Sequence, residues 1–153
     1  MRNKKTMKVV FMTIGILVLA LALVILGRFV WCKVSYTPQL IYELNWNMQF
    51  PEGSKEEYNL TADQDLRGEG IQYTIFRVEK TNINDFVKDW DKEKTEEFET
   101  DLRTKLEHLN VPAEEMPHFE HSYAWKAVTQ YDDELLMMYD FEDNLLYLWN
   151  FIK

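Results

Sequence analysis

Residues 122–153 read SYAWKAVTQYDDELLMMYDFEDNLLYLWNFIK, and this stretch decides the fold. Three runs rich in β-branched, aromatic and long apolar residues, SYAWKAVTQY, ELLMMYDF and NLLYLWNFI, follow one another. Such runs, bounded by acidic and Asn-containing links, read as strands. The links Asp132-Asp133 and Glu142-Asp143 are too short for anything but hairpins. Tyr123, Trp125, Ala127 and Tyr131 share one face of the first run. Leu145, Tyr147, Trp149 and Phe151 share one face of the last. Its other face, with Leu146, Leu148 and Ile152, is apolar too, which predicts a central strand or one covered on both sides.

Working upstream, Pro112 and Pro117 mark a loop, and before it lies a helical pattern from Asn84 to Leu109. Phe86, Val87, Trp90, Phe98, Leu102, Leu106 and Leu109 recur at helical spacing. A polar middle, DKEKTEE, is a break or a solvated turn, Asn82 or Asn84 can cap the start, and Asn110 before Pro112 ends the pattern. Further back, IQYTIFRVE (71–79) and residues 57–62 read as strands joined by the polar turn DQDLRGEG. LIYELNWNMQF (40–50) alternates strictly, with Leu40, Tyr42, Leu44, Trp46, Met48 and Phe50 on one face, and reads as a further strand ended by Pro51-Glu52-Gly53-Ser54. The expected fold is α+β: an antiparallel sheet packed on one long helix, order β-β-β-α-β-β-β, in a domain covering 34–153.

Val9 to Gly27, VVFMTIGILVLALALVILG, carries no charge. As a helix it would rise ~28 Å, close to a bilayer's ~30 Å hydrocarbon thickness. Residues 1–8 then form a basic cytoplasmic tail and 9–31 a transmembrane signal anchor. Val9 and Leu26 sit in lipid, while Arg28 and Trp31, with Phe29 and Tyr36, sit at the interface. Lipoprotein processing at Cys32 needs a small residue before it, and Trp31 stands there. Arg2, Lys4, Lys5 and Lys8 against Arg28 and Lys33 place the N-terminus inside. The expectation is a single-pass protein of the cell membrane, held by lipid, with its C-terminal domain outside.

The 153 residues carry a formal net charge of −9, and all 26 Asp and Glu lie after residue 33. A domain this acidic repels nucleic acid, so no nucleic-acid partner is expected. No glycine-rich phosphate loop, nucleotide fingerprint or defined catalytic carboxylate pair occurs, so no cofactor and no enzymatic activity are expected.

The chemistry-bearing candidates are few. His118-Phe119-Glu120-His121, with His108, offers three imidazoles of the type zinc sites use. The i,i+3 spacing in a Pro-flanked loop differs from the i,i+4 pair of helical zinc proteases. Asp63-x-Asp65-x-Arg67-Gly68 begins like a calcium loop, but Arg67 stands where an oxygen ligand is needed and Thr74 where a bidentate Glu closes the site, and a glycine turn explains the same letters. Trp46, Trp125 and Trp149 are candidate binding aromatics, able to line a groove for a peptide or small ligand.

LRGEGIQY (66–73) resembles a turn-plus-strand signature, aromatic-His-Gly-Asp-Gly-Glu, found in small uncharacterised proteins of Gram-positive bacteria. Gly68, Glu69 and Gly70 match, whereas Leu66, Arg67 and Ile71 depart from it. The resemblance implies a bacterial cell-surface setting and transfers no functional residue. The expected function is a non-enzymatic module binding an envelope protein or peptide. The alternatives are a metal-dependent enzyme or metal-binding protein using His108, His118 and His121, and a small-ligand binder with a cleft between sheet and helix.

Overall fold

The computed structural model describes residues 14–28, 37–62, 70–79 and 83–153. The chain divides into two compact units, Met1–Trp46 and Asn47–Lys153. In the first unit, residues 14–28 form helix α1 and Pro38–Trp46 form helix α2.

Both helices correct the sequence reading. Among the described residues no helix is long and apolar enough to cross a membrane. This overturns the transmembrane signal anchor, the single-pass cell-membrane location and the inside-to-outside topology built on it. Leu26 and Arg28 lie in α1, while Val9, Trp31 and Cys32 lie outside the described residues. The alternating stretch 40–50 is also not a strand, since its first half is α2. Thr37 caps that helix, its Oγ1 accepting from the Leu40 N–H at 3.3 Å. Pro38 supplies the fixed φ suited to a first helical turn. Gln39 donates to Glu43 one turn on, at 3.3 Å. A capping signal and i,i+4 pairing outweigh an alternation that a short apolar run satisfies equally well.

The second unit is built on a five-stranded antiparallel sheet: β1 Lys55–Ala62, β2 Gly70–Arg77, β3 Tyr123–Gln130, β4 Asp133–Asp140 and β5 Leu145–Ile152. The spatial order is β1-β2-β5-β4-β3, so β5 is central and both its faces are buried over Leu146–Asn150. Helix α3 (Ile83–Phe86) and helix α4 (Glu96–His108) lie between β2 and β3 in the chain. The expected order of six strands around one long helix is therefore corrected. Among the described residues five strands are present, and the single helix of 84–109 is two helices separated by 87–95. The break has a local cause. Asp91 and Trp125 exchange both backbone hydrogen bonds, at 2.9 and 2.8 Å, which draws this segment onto the edge of β3. Asp91 also accepts from the Glu93 N–H at 2.8 Å, and Thr95 then starts α4 as its N-cap.

Helix α4 buries Phe98, Leu102 and Leu106, spaced at i, i+4 and i+8, against Tyr73, Leu136, Met138, Tyr147 and Trp149 of the sheet. Glu96, Glu97 and Glu99 in its first turn and Lys105 and His108 in its last complement the helix dipole. It ends at Asn110, whose φ of 55° is the left-handed value of a helix stop. The Val111 N–H returns to Leu106 O at 3.1 Å. Two tyrosine hydroxyls lock the flanks: Tyr123 donates to Glu99 and Tyr73 to Glu115 O, each at 2.7 Å.

The β3–β4 hairpin turns through Tyr131 and Asp132, between the paired residues Gln130 and Asp133. Tyr131 adopts φ 58° and is 94% exposed, so it holds a left-handed backbone with no packing in return. For an L-residue with a Cβ this costs ~1–2 kcal/mol. Tyr131→Gly removes that cost and loses part of the gain to unfolded-chain entropy. The variant is expected to be more stable by about 0.5–1 kcal/mol in urea unfolding. A destabilised variant would show that the turn is not strained.

Candidate metal centre

Two short turns build the site. The first is His118–His121, closed by the His121 N–H donating to His118 O at 3.0 Å. This places the two imidazoles 4.9 Å apart, edge to face. The i,i+3 spacing thus brings the two rings together within one tight turn. The second turn, Asp140–Asp143, links β4 to β5. Asp140 Oδ1 accepts from the Glu142 and Asp143 N–H groups at 2.7 and 3.1 Å, which holds the turn and leaves Oδ2 free to point elsewhere.

Strand register brings the turns face to face. Tyr123 pairs with Asp140, and the Phe141 N–H donates to Ser122 O at 3.0 Å, so the chain before β3 lies opposite the chain after β4. The Ser122 N–H adds a 3.0 Å bond to Glu142 Oε1. As a result His121 Nδ1 lies 2.8 Å from Asp140 Oδ2 and 3.5 Å from Asp143 Oδ2, and His118 Nδ1 lies 3.0 Å from that same Asp143 oxygen. One ligand atom from each of the four residues lies within 4.8 Å of all the others.

The electrostatics are uneven. The Asp140 side chain is fully buried, His121 is 23% exposed, and His118 and Asp143 are roughly half exposed. An ionised carboxylate only accepts hydrogen bonds, so each imidazole presents Nδ1–H to its aspartate. The hydrogen bond to Asp140 raises the His121 pKa above its ordinary value. Partial burial opposes this, and the charges of Asp140, Glu142 and Asp143 add to it. Burial, followed by the charges of Asp140 and Asp143, also pushes up the hydroxyl of Tyr147.

The other candidates fall elsewhere. His108 is exposed at the end of α4, and among the described residues the cluster does not include it. The acidic residues of the Asp63 loop lie outside the described residues, as do Leu66, Gly68 and Glu69. Trp46 ends α2 in the first unit. Trp125 is half-buried. It stacks on Phe98 with ring centroids 4.4 Å apart and donates from Nε1 to Glu93 O at 2.9 Å. Trp149 lies in the core under Lys105, whose Nζ stands 4.9 Å from the ring centroid. Beside Trp125 a groove of about 310 Å³ runs between α4 and the sheet.

Sequence reasoning singled out the two histidines and missed Asp140 and Asp143, which looked like ordinary hairpin residues. The usable signal was the pair of i,i+3 motifs, His-x-x-His and Asp-x-x-Asp, flanking the β3–β4 hairpin. Comparison with protein families, curated proteins and solved structures found no match for this chain.

Proposed function

We propose that this chain is a non-catalytic metal-binding protein whose second unit holds a divalent transition metal through His118, His121, Asp140 and Asp143. One observation carries the reading: two imidazoles and two carboxylates, from turns distant in sequence, converge on one point. Tetrahedral zinc with ~2.0–2.1 Å bonds needs ligand atoms about 3.3 Å apart. Three of the six separations, 2.8, 3.0 and 3.5 Å, lie near that edge length, and the widest, up to 4.8 Å, must close by about 1.5 Å through side-chain rotation. Mixed imidazole and carboxylate donors suit zinc or a neighbouring first-row ion better than calcium. Four protein ligands leave no open position for a substrate water, which separates this site from catalytic zinc centres. The metal would take the place of the protons now shared between each Nδ1 and its aspartate, so affinity is expected to fall as pH falls.

Titration of the metal-free full chain with zinc, followed by calorimetry and by visible absorption after cobalt substitution, tests this. Binding at one ion per chain is expected, with the intense absorption of tetrahedral cobalt. His118→Ala and Asp143→Asn alter partly exposed side chains and leave the fold intact. Each is expected to weaken binding by more than the ~10–100-fold that loss of an outer-shell partner costs. Unchanged affinity in either variant, or no binding, would refute the assignment.

A further inference from the structure

We propose that the outer edge of β3 and the groove beside it take up an extended cationic peptide as an added strand, an activity beyond the metal reading and independent of it.

The backbone sets up the edge. Strand β3 ends the sheet order. Trp125 turns its N–H and C=O outward, to Asp91, at 2.8 and 2.9 Å. In an antiparallel pair that direction repeats every second residue, so Ala127 and Thr129 turn theirs outward too. Both residues are exposed, and among the described residues no backbone group hydrogen-bonds to them on the side away from β4. The Asp91 segment therefore covers one end of the edge and leaves the next two ladder positions open. A row of unpaired N–H and C=O groups is a template for another strand.

The groove supplies selectivity. Its floor is Phe98, Trp125 and Leu136, and its rim carries Glu97, Asp101 and Glu134. Lys105 reaches two of these carboxylates, Asp101 at 2.6 Å and Glu134 at 3.3 Å. One ammonium stands against three carboxylates. Glu97 and Asp101 also border an acidic concavity on α4 that includes Glu96. Side chains of an added strand alternate between faces, so every second one meets the aromatic floor. Lys or Arg in the bound strand complements the rim. A second copy of this chain is the poorer occupant, because a net charge of −9 and two acidic rims oppose the approach.

The test is fluorescence anisotropy with the full chain and two labelled peptides, one of alternating Lys and Val, the other of alternating Glu and Val. The Lys/Val peptide is expected to bind, more weakly as salt rises, and the Glu/Val peptide is expected not to. Two variants probe the two halves of the site. Ala127→Pro removes an outward N–H and spares the ladder to β4, a substitution edge strands accept. Glu97→Lys inverts one charge on the exposed rim. Each is expected to weaken the Lys/Val peptide about tenfold. Should Ala127→Pro fail to fold, a Lys/Val peptide N-methylated at alternate residues, added to the unaltered chain, is expected to lose binding. Equal binding of both peptides, unchanged affinity in a folded Ala127→Pro variant, retained binding of the N-methylated peptide, or self-association through this edge in sedimentation would each overturn the proposal.

Discussion

Asp140→Ala is expected to lower the free energy of unfolding by about 3 kcal/mol, read as a shift of the urea midpoint at constant slope. The side chain is fully buried and accepts three hydrogen bonds, from the Glu142 and Asp143 N–H groups and from His121 Nδ1. Alanine removes three hydrogen bonds to a carboxylate, from two part-buried backbone donors and an imidazole, and each such bond contributes about 1 kcal/mol. The damage falls where the fold is most sensitive. The Asp140–Asp143 turn sets the register of β4 on β5, the central strand. Asp140→Asn keeps an oxygen for the two backbone donors and loses the charge, and is expected to cost about half as much. A loss below ~0.5 kcal/mol for Asp140→Ala would show that strand pairing alone holds the turn.

Leu106→Ala is expected to cost a comparable amount, about 3–4 kcal/mol. Leu106 is fully buried in the cluster where α4 meets β2, β4 and β5. Truncation removes three carbons and leaves a cavity that the rings of Tyr73, Tyr147 and Trp149 fill poorly, because packed aromatic rings have few alternative rotamers. Leu106→Met conserves volume and is expected to cost below ~1.5 kcal/mol. The same change at the half-buried Leu109 is expected to cost less than at Leu106. Equal costs at the two positions would show that α4 docks less tightly than its burial implies.

Legibility differed sharply between elements. Strands β3, β4 and β5 were readable because each has an apolar face at period two and each link is too short to be anything but a hairpin. The doubly apolar β5 announced its central place. Helix α4 was readable from Phe98, Leu102 and Leu106. The split before it was not, because what holds Asp91 away from helical geometry is a backbone pairing with Trp125, distant in sequence. The stretch 40–50 failed for another reason. A short apolar run satisfies strand and helix periods alike, and the deciding signal, Thr37-Pro38, lay just outside the window. The uncharged run 9–27 has the length of a span, whereas among the described residues no helix is long and apolar enough to cross a membrane.

The candidate site divides along the same line. By itself the sequence determined the local elements: which residues alternate, which recur at helical spacing, and that His118 and His121 stand three apart in a Pro-flanked loop. These follow from chemistry within a few residues, where torsional preference and side-chain period act. Only the tertiary structure decided that Asp140 and Asp143 complete the cluster and that Ala127 and Thr129 lie on an open edge. Those facts depend on strand order and register, and register is set by the burial of whole faces across the sheet, a property of all the strands together.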